Sequence, residues 1–431
     1  MNPRKLALEL LVKAEKNEQF TNIALDRALL DSGLSEADRA LCSILFYGVI
    51  EHRISLDYRL AALSARPLRE LDTNVLGALR LGLYQLTALD RIPPHAAIYE
   101  TVALCPKKSA GFVNAILRAH TRTPETPLPD KESEPVRYLS IRYSIGEALA
   151  QKLLAIYGMT RTESLLEAFA HNPATTLRVN TLKIGRDALA EKISGAQPTA
   201  LSPVGLRVHG ALRALYGFEE GLFFVQDEAS QLCVEALDAQ KGDTLLDICA
   251  CPGSKSFGSA IRMDNEGAIH AFDLHEKKLS LVVSGAQKLG ITILDASAHD
   301  GRDDMPEWEG RADRVLCDVP CSGFGVIAKK PELRYKDPAV SAALPDIQLA
   351  ILETASRYVK TGGTLVYSTC TIFPEENEGN VARFLDAHPE FSLTSFQAGA
   401  LTCPEGQITL LPDTHPTDGF FIAKLTKKDT K

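Results

Sequence analysis

Two cysteines in the C-terminal half of the sequence stand where a thiol could do chemistry: Cys321 in Asp318-Val319-Pro320-Cys321-Ser322-Gly323 and Cys370 in Tyr367-Ser368-Thr369-Cys370-Thr371. Each follows a short apolar run, Ala312 to Cys317 or Gly363 to Tyr367, of the kind that forms a buried strand. A thiol in a strand-end loop that faces a ligand crevice can be held partly as thiolate, the attacking species in covalent catalysis. A cytosine ring needs such an attack. Its carbon 5 is a poor nucleophile until a thiolate adds to carbon 6, after which it can take a methyl group from a sulfonium. Asp318 would then share a proton with ring N3. Cys42, Cys105, Cys233, Cys317 and Cys403 read as ordinary buried thiols. The nine cysteines show no CxxC spacing, which argues against a disulfide framework or a zinc site.

A second constellation lies upstream. The run Thr244 to Ile248 leads into Asp247-Ile248-Cys249-Ala250-Cys251-Pro252-Gly253-Ser254-Lys255-Ser256, a loop of small residues entering a helix. Small side chains let a ligand approach the backbone, and a helix N-terminus offers free N–H groups to an anionic or carboxylate-bearing ligand. The spacing is neither that of a dinucleotide loop nor that of a phosphate loop. Asp273, twenty residues past Gly253, ends the next apolar run and suits ribose hydroxyls. Asp300, in Ala298-His299-Asp300-Gly301, could accept from an adenine amino group or be a solvated surface acid. His275 and His299 have no partner at a metal-like spacing, and no metal is expected.

These residues need a scaffold. Short apolar runs at Thr244 to Ile248, Ala268 to Phe272, Ile291 to Leu294, Ala312 to Cys317 and Gly363 to Tyr367 alternate with helical segments. That grammar implies βαβ units and a mostly parallel sheet binding ligands at its carboxyl edge. From Arg4 to about His120 the apolar spacing is helical instead, as in Leu6, Leu10 and Ala14 or Leu76, Leu79 and Leu83, with caps expected at Ser35 and Asp72. Four prolines (Pro124, Pro127, Pro129, Pro135) mark a linker. Helices are expected again over 147–157 and 161–170, followed by a β-like stretch from Thr176 to Leu182. The expected divisions are a helical domain over 1–125, a linker over 126–136, a small α+β RNA-binding subdomain over 137–220 and an α/β domain over 221–426.

Net charge is −8, which argues against a nucleic-acid partner. The first 125 residues, however, carry 16 basic against 14 acidic residues, so any basic surface is a local patch on an acidic background. No run of about 18 apolar residues or secretory leader is present, and a cytoplasmic monomer with no membrane association is expected.

The Ser-Thr-Cys around Cys370, together with Asp318-Val-Pro-Cys321-Ser-Gly, resembles the paired-cysteine signature of the RNA cytosine-5 methyltransferases. The resemblance implies a Rossmann-like class I fold with a mostly parallel seven-stranded sheet and S-adenosylmethionine as cofactor. It implies Cys370 as nucleophile, Cys321 as the group that assists adduct breakdown, and Asp318 at cytosine N3. Cys249, Ala250, Cys251, Pro252, Gly253, Ser254 and Lys255 would hold the cofactor with Asp273, Asp300 and Asp318. The family's loop usually reads Asp-x-Cys-Ala-Ala-Pro-Gly-Gly-Lys-Thr; this chain has Cys251 for the second Ala and Ser254 for the second Gly. Gln226 to Ser230, Pro374 to Glu378 and Asp418 to Phe421 resemble further family segments, and Leu177 to Thr181 its RNA-facing strand. Arg178, Asn180, Lys329 and Lys330 are expected to contact RNA.

The helical first domain is similar to the NusB family of RNA-binding bundles, through Leu56-Asp57, Leu79-Arg80, Ile92-Pro93-Pro94 and Gly111 to Arg118. Fusion of such a bundle to this catalytic domain resembles bacterial small-subunit ribosomal RNA methyltransferases, which implies 16S ribosomal RNA, or an early small-subunit assembly intermediate, as partner. The same chemistry on transfer RNA is an alternative. So is a non-catalytic RNA-binding or antitermination protein with a degenerate methyltransferase fold, a reading motivated by Cys251 and Ser254.

Overall fold

A computed structural model describes residues 2–17, 22–123, 125–170 and 174–429. The chain forms two compact units, Met1–Ala170 with Lys330–Pro338, and His171–Lys329 with Ala339–Lys431.

In the first unit the described residues are helical: α1 (Pro3–Asn17), α2 (Asn22–Asp31), α3 (Glu36–Glu51), α4 (Arg53–Leu63), α5 (Thr73–Ala88), α6 (Pro94–Ala103), α7 (Lys107–His120), α8 (Pro135–Tyr143) and α9 (Glu147–Ala170), the last broken at Gly158. The apolar spacing builds one core: Leu6, Leu76, Leu79 and Leu83 enter it, Leu10 packs against it, Ala14 is buried, and α5 is buried on every side from Val75 to Gln85. Ser35 caps α3 by accepting from the Asp38 N–H at 3.2 Å, and Asp72 caps α5 by accepting from Asn74 at 2.9 Å. Both caps stand where the sequence puts them.

The stretch 125–134 carries no regular helix or strand, and Pro124 lies outside the described residues. Tyr58 donates to the Pro127 carbonyl at 2.8 Å and Arg59 pairs with Glu125 at 2.7 Å, so the stretch is tied to α4. Residues 137–170, grouped by sequence with the strands that follow, belong instead to this helical unit. The reason is a set of polar ties to α4: Ser55 donates to the Ile141 carbonyl at 2.6 Å, and Ser144 accepts from the Ile54 N–H at 2.9 Å. The segment Lys330–Pro338 is part of the same unit. Arg334 donates to the carbonyls of Tyr143 and Phe169, and the Tyr335 ring lies 3.9 Å from the Arg53 guanidinium.

The second unit opens with β1 (Thr175–Val179), α10 (Arg186–Ala190), β2 (Gln197–Pro198), β3 (Gly205–Val208) and β4 (Phe223–Val225), an antiparallel sheet in the order β2-β3-β1-β4. Since β4 pairs with β1, this sheet extends past the division expected at residue 220.

Then come α11 (Glu228–Leu237), β5 (Thr244–Asp247), α12 (Ser254–Arg262), β6 (Ala268–Asp273), α13 (Glu276–Leu289), β7 (Leu294–Ala298), β8 (Ala312–Asp318), α14 (Leu344–Tyr358), β9 (Val359–Thr369), α15 (Glu378–Ala387) and β10 (Phe391–Leu393). A small hairpin, β11 (Phe396–Ala398) with β12 (Leu401–Cys403), precedes β13 (Gln407–Leu410) and β14 (Phe420–Lys427). The large sheet runs β10-β14-β9-β8-β5-β6-β7. Strands β7, β6, β5, β8 and β9 are parallel, β14 runs antiparallel to β9, and β10 and β13, the latter an eighth strand, each pair antiparallel with β14.

Apolar clusters cover both faces. The chain leaves β5 toward β6 on one side and returns through β8 on the other, the switch point at which such sheets bind ligands. Strand β7 starts at Leu294, three residues later than the apolar run suggested, because it is a largely exposed edge strand of sequence Leu-Asp-Ala-Ser-Ala. Among the described residues no helix is long and apolar enough to cross a membrane.

Arg80, on α5, is the electrostatic centre of the helical unit. Its guanidinium meets both oxygens of Asp57 at 2.7 Å and both of Glu15 at 3.0 Å, joining α5, α4 and α1. Burial alone would lower its pKa, yet the two carboxylates hold it above its ordinary value. Arg80→Met should destabilise this unit by about 2 kcal/mol, the worth of charge-assisted hydrogen bonds to partly solvated carboxylates. Denaturant unfolding followed by circular dichroism would show the loss as a lowered midpoint of the helical transition.

Candidate active site

Strand β8 runs parallel to β9 with Asp318 opposite Ser368. The loops that leave the two strands therefore start level, and Cys321, three residues on, meets Cys370, two residues on. Their sulfurs are 3.2 Å apart, and the Cys370 N–H points at the Cys321 sulfur at 3.3 Å. The shared proton contact with Cys370, with burial second, pushes the Cys321 thiol well above its ordinary pKa.

Both loops are fixed by buried polar groups. Glu376 accepts from the Ser322 N–H at 2.9 Å and from Gln348 at 2.8 Å; Gln348 also donates to the Pro320 carbonyl at 3.0 Å. Ser322 and Thr371 hydroxyls meet at 2.8 Å, and Asn377 accepts from Thr369 at 2.6 Å while donating to the Thr371 carbonyl at 3.1 Å. The Gly325 N–H donates to the Cys370 carbonyl at 2.9 Å and the Gly419 N–H to the Gly325 carbonyl at 2.8 Å, so the two thiol loops and the start of β14 share one backbone ladder.

Asp318 accepts from Lys255 at 2.5 Å and from the Ser368 hydroxyl at 2.8 Å. Burial alone would discharge Lys255, but Asp318 outweighs it and holds the ammonium above its ordinary pKa; the Phe420 ring centroid lies 5.0 Å from the same nitrogen. Lys255 comes from the first turn of α12, which the loop after β5 delivers to this point.

That loop forms a cradle. Gly253 has φ of +105°, and a β-carbon there would collide with the Phe257 ring. Ser254 is the first residue of α12 and has no positive φ, so the backbone requirement falls on Gly253 and the serine is accommodated. Asp247, at the end of β5, accepts from Ser256 at 2.5 Å through one oxygen. Its other oxygen is buried with no hydrogen bond of acceptable geometry among the described residues. Burial, against the Ser256 bond, raises its pKa to about 7. Asp273 accepts from the N–H groups of Cys251 and His275 at 3.2 and 2.9 Å, beside the cradle. Burial keeps Cys249 well above its ordinary pKa and raises Cys251 to about 11, so both are neutral lining.

Several expected residues lie elsewhere. Asp300 is engaged by its own neighbour, Arg302, whose side chain pairs with both carboxylate oxygens and pulls its pKa down to about 2. Arg178 is 2% exposed; it pairs with Glu235 at 3.3 Å and donates to the Gly258 carbonyl at 3.4 Å, so as placed it cannot reach a phosphate. Asn180 is fully buried, donating to the carbonyls of Gly221 and Leu289 at 3.0 and 2.9 Å, which joins β1 to the end of α13. Lys329 is taken up by Asp227 and Asp418 at 2.6 and 2.7 Å. Lys330 remains exposed. All four were expected at the RNA surface; residue type is the same for a phosphate contact and a structural tie, and burial separates Arg178 and Asn180, while Lys329, a third exposed, is set apart by its two carboxylate partners.

Comparison with known proteins accords with this site. A family model described as 16S rRNA methyltransferase RsmB/F matches residues 234–426, the ferredoxin-like domain of the same group matches 147–214, and the NusB family matches 1–122. The chain is 37% identical to the probable ribosomal RNA small subunit methyltransferase B of Bacillus subtilis strain 168, over 99% of this chain and 98% of that one. It is 33% identical to the ribosomal RNA small subunit methyltransferase B of Escherichia coli strain K12, over 99% of both. The chain belongs to the RsmB/F methyltransferase family. Among solved structures, the crystal structure of PH0851 is similar with a TM-score of 0.79 at 27% identity, covering 99% of each chain.

A methyltransferase of this family implies a methyl donor of the S-adenosylmethionine type, and the cradle suits one. The free amide end of α12, approachable because Gly253 carries no side chain, and the buried Asp247 oxygen without a hydrogen bond of acceptable geometry are what a carboxylate and an ammonium on one ligand would satisfy. Glu376, Gln348 and Asn377 were not singled out from sequence. Glu376 and Asn377 lie in the quoted stretch Pro374 to Glu378, whereas Gln348 sits in an amphipathic helix that carries no signal.

Two outcomes follow from this geometry. Gly325→Ala would drive a β-carbon into the carbonyls of Gly419 and Cys370, and should lower methyl transfer about a hundredfold by separating the two thiol loops, measured as turnover under saturating substrates. Asp247 holds a proton in the fold that it loses when unfolded between its ordinary 3.8 and about 7. Its contribution to stability is therefore greatest below the lower value and declines as pH rises to the upper one. Without methyl donor, Asp247→Asn should flatten the pH dependence of the unfolding midpoint over this window.

Proposed function

We propose that the protein transfers the methyl group of S-adenosylmethionine to carbon 5 of a cytosine in 16S ribosomal RNA through a covalent adduct on Cys370. The observation that carries this reading is the meeting of two thiols at 3.2 Å beside a Lys255–Asp318 pair at the carboxyl edge of the sheet. The relatives named as ribosomal RNA small subunit methyltransferases support the substrate class.

Bound with its methionine end at the 249–255 cradle and its ribose at Asp273, the cofactor supplies a methyl group made electrophilic by a sulfonium. Cys370 attacks carbon 6 as thiolate. Asp318, bonded to the Lys255 ammonium and the Ser368 hydroxyl, relays a proton from that ammonium to ring N3, which offsets the charge of addition. Carbon 5, now nucleophilic, forms the bond to methyl as the methyl–sulfur bond breaks, its electron pair staying on sulfur to leave a neutral thioether. With Cys370 bonded to carbon 6, the contact that chiefly raises the Cys321 thiol is gone; Cys321 gives its proton to solvent and as thiolate takes the one that carbon 5 must lose, ring N3 returns its proton to the Asp318–Lys255 pair, and the electron pair left at carbon 5 expels the Cys370 thiolate from carbon 6. Asp300, whose second oxygen accepts a single bond from Arg302, keeps acceptor capacity for the adenine side. Lys330 is proposed as a phosphate contact, on the RNA as free transcript or within an early small-subunit particle.

Methyl transfer from radiolabelled S-adenosylmethionine to undermethylated 16S ribosomal RNA tests the whole reading, with bulk transfer RNA alongside. Label in a 16S cytosine should vanish with Cys370→Ala, whereas Cys321→Ala should still attack and leave RNA covalently bound on denaturing gels. Label in transfer RNA alone would discard the substrate and keep the chemistry. A Cys321→Ala variant that turned over at the wild-type rate with no adduct would reverse the roles assigned to the two thiols.

A further inference from the structure

Lys329 ends the loop that carries Cys321, and its ammonium lies 2.6 Å from Asp227 and 2.7 Å from Asp418. Asp227 caps α11, accepting from the Ala229 N–H at 2.9 Å. Asp418 precedes Gly419, the residue that donates to Gly325, which in turn donates to the Cys370 carbonyl. One cation thus joins the far end of the Cys321 loop, the start of α11 and the strand entry against which Cys370 is hydrogen-bonded. At its near end the loop is already held by Glu376 and Gln348. Between the two ends the Gly325 N–H holds the backbone to the Cys370 carbonyl, and Lys329 fixes the part of the loop beyond it.

We infer that Lys329 is a positioning residue for Cys321: by neutralising Asp227 and Asp418 together it holds the loop so that the two active-site sulfurs stay in contact. Two of its three N–H donors serve these carboxylates, which leaves little charge to offer a phosphate. The carboxylates depend on it equally. The Asp418 N–H is only 3.3 Å from an Asp227 oxygen, and burial first, then Asp227, raises the Asp418 pKa to about 7. The cation also lowers that pKa, so without it Asp418 would hold a proton at neutral pH and the bridge from the loop end to α11 and β14 would be lost; above the raised pKa two like charges would face each other beside the ladder. Arginine could replace lysine there; a neutral side chain could not.

The functional consequence rests on the role proposed above for Cys321, but the geometry can be read without it. Diamide joins two thiols that meet: each sulfur loses a hydrogen, the S–S bond forms, and the N=N bond of the reagent is reduced to the hydrazine. On the full-length protein, peptide mass spectrometry should find Cys321–Cys370 disulfide forming about tenfold more slowly in Lys329→Met. Lys329→Arg should stay near the wild-type rate, which a general loss of folding on substitution at this position would not allow. With RNA and S-adenosylmethionine, Lys329→Met should accumulate the covalent adduct as Cys321→Ala does, while the salt dependence of RNA binding stays unchanged. An unchanged diamide rate in Lys329→Met would overturn the inference, and so would a salt slope lowered by about 0.7 to 0.9, the signature of a lost phosphate contact. If Cys321→Ala itself trapped no adduct, the proposed role of Cys321 would fall, and the diamide rates would still decide the role of Lys329.

Discussion

The parallel pairing of β8 with β9 is the constraint on which the rest of the catalytic unit depends. Residues 318 and 368 are level across that pair, so loops of three and two residues bring Cys321 and Cys370 to one point. A slip of one residue would turn every side chain of a strand to the other face. Asp318 would then turn away from Lys255, and the two thiols would part. Both faces of these strands are apolar, with Val315, Cys317, Leu365 and Tyr367 in one cluster and Leu316 and Val366 in the other, so hydrophobic patterning alone does not set the register. The polar ties at the strand ends do, through Asp318 with Lys255 and Ser368 and through Gly325 with the Cys370 carbonyl.

Ionisable groups are buried around this point at considerable cost, and the fold meets that cost by pairing rather than by exposure. Lys255 finds Asp318, Lys329 finds two carboxylates, and Glu376 is surrounded by donors. The exception is Asp247, one oxygen of which is buried without a hydrogen bond of acceptable geometry among the described residues, and that exception lies in the cradle where a ligand ammonium would supply the missing donor. An unsatisfied buried acceptor costs roughly 1 to 3 kcal/mol in isolation. A free protein that carries such a penalty at a ligand cradle gives part of it back on binding.

Much of the site was legible in sequence because it consists of rare residue types at strand ends. Two cysteines, a small-residue loop with one lysine, and acids at the ends of apolar runs are visible without coordinates, as are the helix caps at Ser35 and Asp72. The RNA-facing residues were less legible. Arg178 and Asn180 follow the pattern of a surface strand but point inward, and only the partners Glu235, Gly221 and Leu289, distant in sequence, decide their direction. Domain boundaries failed to follow composition for a similar reason. The proline-rich stretch marks a change of local backbone, whereas the division into units follows contacts distant in sequence, among them those of Ser55 with Ile141 and Ile54 with Ser144.

Buried ion pairs also explain why net charge was a poor guide to function. Arg80, Arg178, Lys255 and Lys329 are each matched by at least one internal carboxylate, so these groups say nothing about what the surface attracts. Replacing such pairs with apolar residues of similar volume is often neutral or stabilising in proteins generally. Stability alone therefore gives little reason to keep them. Around the two thiols their presence has a different basis: a paired charge has a direction and a fixed distance, whereas an apolar contact has neither. A loop that must present a sulfur at 3.2 Å from its partner needs that directionality more than it needs additional free energy of folding.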